Sequence, residues 1–244
     1  MFPSTNRLLA FLIGTFYHRM ERLNKKERLA LEAFSHDLTF PPRRTDSPLI
    51  VCMVGLVGSG KSLVARLLAE HIGAVALNAD IIRMYMRKEG LGFDRARLLA
   101  EITAHRALDQ GSNVVMDSDH IDAAKRASVL ARAKKMGVRV VFVRTVCDLD
   151  IAFGNIMKED YNHEDGPFFR DAASPWKDPS VSAGAVVKMR EMHRRTWLHY
   201  DLRRSGGGQW VLKRTLPFPV FATIDTGKPH WQEELANTAK NLGV

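Results

Sequence analysis

The apolar positions of the chain fall into two periodicities that alternate along most of its length. Leu49–Val54 is an unbroken apolar run of strand length, and Lys61–His71 follows it with the three-and-four spacing of an amphipathic helix. Ala74–Leu77 predicts a short second strand and Asn113–Met116 a third. Between them Arg95–Gln110 predicts a helix with Leu98, Leu99, Ile102 and Leu108 on its inner side. Ala123–Met136, rich in Ala, Lys and Arg, predicts another helix. Val138–Val143 has the valine-rich pattern of a strand buried on both faces. Val220–Ile224 and Trp231–Leu242 predict a last strand and a closing helix. Strands alternating with helices in this way build a parallel sheet covered on both faces, so the expected class is a three-layer α/β fold.

Upstream of the first strand the pattern changes. Leu9, Ile13, Phe16, Met20 and Leu23 recur at helical spacing, and Leu31 and Phe34 resume the stripe after the polar Asn24–Lys26. The run Leu8–Tyr17 lacks the small-residue cleavage pattern of a leader peptide. It also falls short of the roughly 20 apolar residues of a membrane span. Three placements stay open for this helix: on its own domain, on a second copy as a homo-oligomer contact, or at a membrane surface with Arg7, Arg19 and Arg22 near headgroups. Phe40–Pro48 breaks all periodicity and reads as a linker. The expected organisation is therefore a helical appendage and linker over 1–47 and a main domain over 48–244.

The junction of the first strand and helix carries the strongest chemistry. Gly55-Leu56-Val57-Gly58-Ser59-Gly60-Lys61-Ser62 has the order and spacing of a P-loop. Gly55, Gly58 and Gly60 let the backbone bend around a phosphate chain, and the loop offers amide N–H groups and a helix N-terminus to an anion. Lys61 can reach the β and γ phosphates of ATP, and the Ser62 hydroxyl is placed to ligate Mg²⁺. Ser59 and Leu63 complete the expected nucleotide-binding set.

Two further strand ends add acids. The second strand runs into Asn78-Ala79-Asp80-Ile81-Ile82-Arg83, at the sheet edge where open parallel sheets bind ligands. Asp80 can take the proton of an attacking hydroxyl, and Arg83, one helical turn on, can hold a phosphate. The competing reading makes Asp80 the cap of the next helix and Arg83 a solvated residue. The third strand closes on Asp117, placed to hold Mg²⁺ opposite Ser62. Asp119 and Asp122 follow closely, and such crowding favours a metal or a basic lid above them; Asp122 reads better as the cap of the helix at Ala123.

Composition narrows the partners rather than the fold. A formal charge of +9 suits phosphates, nucleic acid or anionic lipid and chooses none of them. The 244 residues, 45% of them apolar, suffice for a full core. Cys52 and Cys147 lie in apolar runs and read as buried small hydrophobes, which suits a reducing, cytoplasmic setting.

Together these elements resemble the P-loop kinase group that includes polynucleotide 5′-hydroxyl kinases and zeta-toxin-like and chloramphenicol phosphotransferase-like enzymes. The resemblance covers roughly residues 48–160, and more weakly Phe221–Thr226. It implies that Asp80 is the base on the acceptor hydroxyl and that Arg83 binds an acceptor phosphate. This chain departs from the group at Asp117-Ser118-Asp119, where an acid, Thr and Asn are usual, and in the lid after the fourth strand. Where the group carries paired lid arginines, Asp148–Lys158 has Lys158 as its one cation.

Residues 186–215 offer replacements, since Lys188, Arg190, Arg194, Arg195, Arg203, Arg204, Lys213 and Arg214 face only Glu191 and Asp201. Arg190 and Arg194 lie four apart and would share a helical face as a lid. With His193, Trp197, His199, Tyr200 and Trp210 interleaved, the same stretch also suits a nucleic-acid surface, or a solvated helix with Trp and Met packed inward. Tyr161–Ser182, with three prolines, reads as an insertion near this lid, which as a whole spans about 148–215. The expected function is transfer of the γ-phosphoryl of ATP to a hydroxyl of a nucleic acid, nucleotide or small molecule. The alternative is an ATP-binding switch or scaffold with weak or no transfer.

Overall fold

The computed structural model describes residues 23–38, 40–41, 45–158, 184–204 and 208–243. Within them α1 (Lys25–His36) precedes a βα alternation of β1 (Leu49–Val54), α2 (Lys61–Ile72), β2 (Ala74–Asn78), α3 (Ala79–Lys88) and α4 (Ala96–Asp109). β3 (Asn113–Asp117), α5 (Ala123–Met136), β4 (Arg139–Val146) and α6 (Leu149–Met157) continue it. α7 (Gly184–His199), β5 (Tyr200–Arg203), β6 (Gln209–Leu212), β7 (Ala222–Asp225) and α8 (Trp231–Asn241) complete the order.

Five strands form one parallel sheet in the order β2-β3-β1-β4-β7. β1 is central and buried along its whole length, which is why its residues are apolar without alternation. Ile50, Cys52 and Val54 face a core shared with α3, α4 and α1. Leu49, Val51 and Met53 face the opposite core, built with α2 and α8. The three-layer α/β architecture expected from the alternation is the one observed. Cys52 and Cys147 are both buried and free.

Two local features add to the pattern-based reading. Asn24 is the N-cap of α1, in a capping box with Glu27, so the polar Asn24–Lys26 opens the helix that carries Leu31 and Phe34. Leu31 and Phe34 of α1 lie in the core with α3 and α4, Phe34 packs on Tyr85, and Glu27 pairs with Arg95 at 3.1 Å. The stripe from Leu9 to Met20 and the insertion Tyr161–Ser182 lie outside the described residues. Among those described, no helix is long and apolar enough to cross a membrane.

The second feature lies after α7. The helix ends at His199, and β5 pairs antiparallel with β6, with Leu202 opposite Trp210. A two-stranded hairpin therefore stands where the basic composition had suggested a continued helix. Tyr200 anchors its base by donating to the Cys147 carbonyl at 2.7 Å.

Candidate active site

The C-terminal ends of β1, β2 and β3 meet at one cleft of about 500 Å³. Lys61 and Ser62 line one part of it, Asp117 and Asp119 another, and Asp80 and Arg83 a third. Lys188, Arg190, Glu191, Arg194 and Arg195 of α7 line it as well. The fold thus brings the strand-end acids and the α7 cations, far apart in the sequence, to one place. Lys158 does not join them, because it is the exposed C-cap of α6 and is absent from this lining.

Gly58 has φ +84°, and a Cβ there would overlap the Ala152 carbonyl of α6. At Gly55 a Cβ would overlap the Thr145 hydroxyl, so the loop can lie against β4 only without a side chain. Ser59 is buried, with its hydroxyl on Thr145 Oγ1 at 2.9 Å, which directs its side chain into the fold. Leu63 is 44% exposed on the first turn of α2. Two residues not singled out from the pattern brace the loop: Asn155 Nδ2 donates to the Gly58 carbonyl at 2.9 Å and Thr226 Oγ1 to the Ser59 carbonyl at 3.1 Å.

Asp117 is buried, and one of its oxygens, Oδ2, accepts from Asn78 Nδ2 at 2.7 Å. The other, Oδ1, lies 3.6 Å from Lys61 Nζ and has no hydrogen-bond partner. A buried carboxylate oxygen left open beside a lysine fits a site that takes a hard cation. Among the described residues no three His, Cys, Asp or Glu side chains cluster as a metal cage. Ser62 and Asp117 are thus suited to a cation that keeps waters and shares phosphate oxygens, as Mg²⁺ does.

Asn78, not Asp80, caps α3, since its Oδ1 accepts from the amides of Asp80 and Ile81 at 2.8 and 3.3 Å. The Asp80 side chain is therefore free of the capping role and is instead gripped by Arg83 Nη1 at 2.5 Å, at the exposed rim of the cleft. Asp122 does cap α5, accepting from the Lys125 amide at 2.9 Å.

Asp119 has the densest set of contacts. Its Oδ1 accepts from the Gly55 amide at 3.3 Å and the Ile121 amide at 3.1 Å. Its Oδ2 accepts from Arg195 Nη1 at 3.0 Å and His199 Nε2 at 3.1 Å, both on α7. Burial pushes this carboxyl up, but the His199 hydrogen bond and the charges of His199, Arg195 and Lys61 bring it down to about 2. The buried charge of Asp119 is thus matched by two basic side chains of α7, which packs over it. Leu56 of the loop packs in the same apolar cluster as Ala152 and Ile156 of α6 and Met192 of α7. The cleft roof is therefore tied to the phosphate loop by both charge and packing. Trp197 turns outward and is 61% exposed.

A profile of the AAA domain family matches residues 50–167. A UPF0200 protein from Aeropyrum pernix is 37% identical over 100 residues, 35% of this chain and 52% of that protein. Mouse 6-phosphofructo-2-kinase/fructose-2,6-bisphosphatase 1 is 26% identical over 136 residues, 47% of this chain and 29% of that protein. The chain thus spans about half of the length of the first of these relatives and less than a third of the second. The APS kinase of Mycobacterium tuberculosis, solved with AMPPNP and APS, aligns with a TM-score of 0.48 at 18% identity, covering 82% of this chain and 100% of that one. The P-loop between β1 and α2 and the acid at the end of β3 both lie within the residues 50–167 that match the AAA domain family.

Proposed function

We propose that the protein is an ATP-dependent phosphotransferase that moves the γ-phosphoryl group of ATP onto a hydroxyl acceptor. The observation that carries this reading is the single cleft shared by the phosphate loop, Asp117, Asp80 with Arg83, and the α7 arginines. In it the loop amides, the N-terminus of α2 and Lys61 hold the triphosphate. Ser62 and Asp117 would hold Mg²⁺, which supplies charge neutralisation at the β and γ phosphates. The acceptor oxygen attacks the γ phosphorus as the bond to the β,γ-bridging oxygen breaks, leaving ADP. Asp80 receives the acceptor proton, and Arg83 orients the acceptor beside it.

Arg190 and Arg194 bring guanidinium groups to the cleft where the lid arginines of related kinases are missing from α6. Their place beside the phosphate loop favours a transferase over a passive ATP-binding switch, because fixed positive charge there stabilises the transferring group. The domain boundary near residue 48 and a homo-oligomer contact through the N-terminal stripe belong to this proposal as well. The test is a γ-labelled ATP screen over 5′-hydroxyl oligonucleotides, nucleosides and small alcohols. Label should reach an acceptor with the native chain and not with Lys61→Ala; label on none of the acceptors would sink the transferase reading.

A further inference from the structure

Beside the phosphate cleft lies a second cavity of about 110 Å³, between α4, α5 and one face of the sheet. Ile50 and Met116 form its sheet wall, Ala100 and Ala104 its α4 wall, and Val129 and Met136 its α5 wall. The cavity and the cleft share Ala79, Arg83, Ser118 and Lys125, so the two spaces adjoin at the ends of β2 and β3. The rest of its lining is mostly aliphatic, with Arg97, His105, His120 and Ser128 as polar positions and Glu101 ion-paired with Arg132.

We infer that this cavity receives the body of the acceptor, and that the acceptor is a small alcohol whose apolar part is about the size of one six-membered ring. The inference rests on the phosphotransferase reading above. Size carries the first step: the volume is of the order of the ~150 Å³ apolar cavity that accepts benzene in another protein. It falls below the roughly 300 Å³ at which sites for drug-sized ligands begin. A nucleoside therefore does not fit inside it. Small residues carry the second step, since Ala100 and Ala104, adjacent turns of α4, leave room where larger apolar side chains would close the gap.

Polarity carries the third step. His105 lines the cavity and is buried, and its Nδ1 has no hydrogen-bond partner, with Asp109 Oδ2 3.6 Å away. It offers a contact for one polar substituent on an otherwise apolar body. At the other end Arg83 and Lys125 stand where the cavity opens to the cleft, so a hydroxymethyl arm leaving the cavity emerges beside Asp80 and the phosphate loop. In the transfer, the O–H bond of that arm breaks as its oxygen bonds to the γ phosphorus, and the proton passes to Asp80.

Benzyl alcohol is the probe. In full-length protein with ¹³C-methyl methionine and a non-hydrolysable ATP analogue, it should shift and saturate the Met116 and Met136 methyl signals and leave Met53 unmoved. Transfer to benzyl alcohol should exceed transfer to nucleosides. Ala104→Leu, which fills the cavity, should raise its KM by about tenfold or more with ATP affinity unchanged, as a methylene-scale change in an apolar pocket does. Ala100→Val provides a milder filling substitution should Ala104→Leu unfold.

Unmoved Met116 and Met136 signals up to the solubility limit would overturn the inference. Efficient labelling of oligonucleotides or nucleosides without benzyl alcohol would also overturn it while leaving the phosphotransferase standing. Saturable methyl shifts without transfer to any acceptor would keep the cavity as a ligand site and remove the phosphotransferase.

Discussion

Asp119→Asn isolates what the negative charge beneath α7 contributes, because the amide preserves shape and can keep accepting at Oδ1 from Gly55 and Ile121. What it loses is the carboxylate oxygen facing Arg195 at 3.0 Å and His199 at 3.1 Å, and it places an amide N–H against those two donors. Breaking a buried ion pair from one side costs about 3–5 kcal/mol. Arg195 keeps its second partner, Glu191, at 3.1 Å, and its side chain is 21% exposed, so the expected loss is smaller, about 2–3 kcal/mol. Urea denaturation followed by tryptophan fluorescence, with Trp197 on α7 as reporter, reads this loss. A double-mutant cycle with Arg195→Met should give a coupling of about 1–2 kcal/mol. The acid limb supplies an independent reading. Asp119 is held at about 2 when folded against an ordinary 3.8, so the unfolded chain binds the proton first. Its stabilisation is complete above pH 4 and is lost as pH falls toward 2, and the Asn variant should lack that portion of the acid limb. A coupling below about 0.5 kcal/mol, with an unchanged acid limb, would refute the role given to this charge.

Lys61→Ala should abolish most ATP affinity in calorimetry while leaving the far-UV circular dichroism spectrum of the native chain; unchanged affinity would remove the phosphate-loop assignment. Asp80→Asn should keep ATP binding and lower transfer by about 10²–10⁴ if Asp80 is the base. Because Asn78 caps α3, the same variant should stay folded, and unfolding would return Asp80 to a structural role. Arg190→Ala and Arg194→Ala should lower kcat more than ATP affinity, since fixed charge at the γ phosphate acts most as charge develops in the transition state. A loss confined to oligonucleotide binding, with its salt slope reduced by about one per variant, would instead assign them to a nucleic-acid surface.

Several features were legible from local residue order because the physics behind them is local. Leu49–Val54 announces a doubly buried strand, since a central parallel strand has no polar face to show. The P-loop announces a phosphate site because its glycines, lysine and helix start all fall within eight consecutive residues. Asp122 declares its cap for the same reason, with its amide partner three residues away. Asp80 was harder to assign, because Asn78 and Asp80 both have capping chemistry and sit two residues apart. Asn78 takes the cap with its Oδ1 while its Nδ2 donates to Asp117 of the neighbouring strand, a contact that residue order does not show.

What residue order alone determined is the layer architecture, the phosphate loop and the acids at the strand ends. Periodicity and turn chemistry act over a few residues and need no knowledge of the rest of the chain. Tertiary structure decided which distant groups complete the cleft. Arg195 and His199 meet Asp119 across 76 and 80 residues, and Asn155 and Thr226 reach the loop across 97 and 167. Spacing gives no such pairing. It also decided that α7 stops at His199, where β5 gains a partner in β6, since a strand is stabilised by the ladder it forms with another segment rather than by its own side chains.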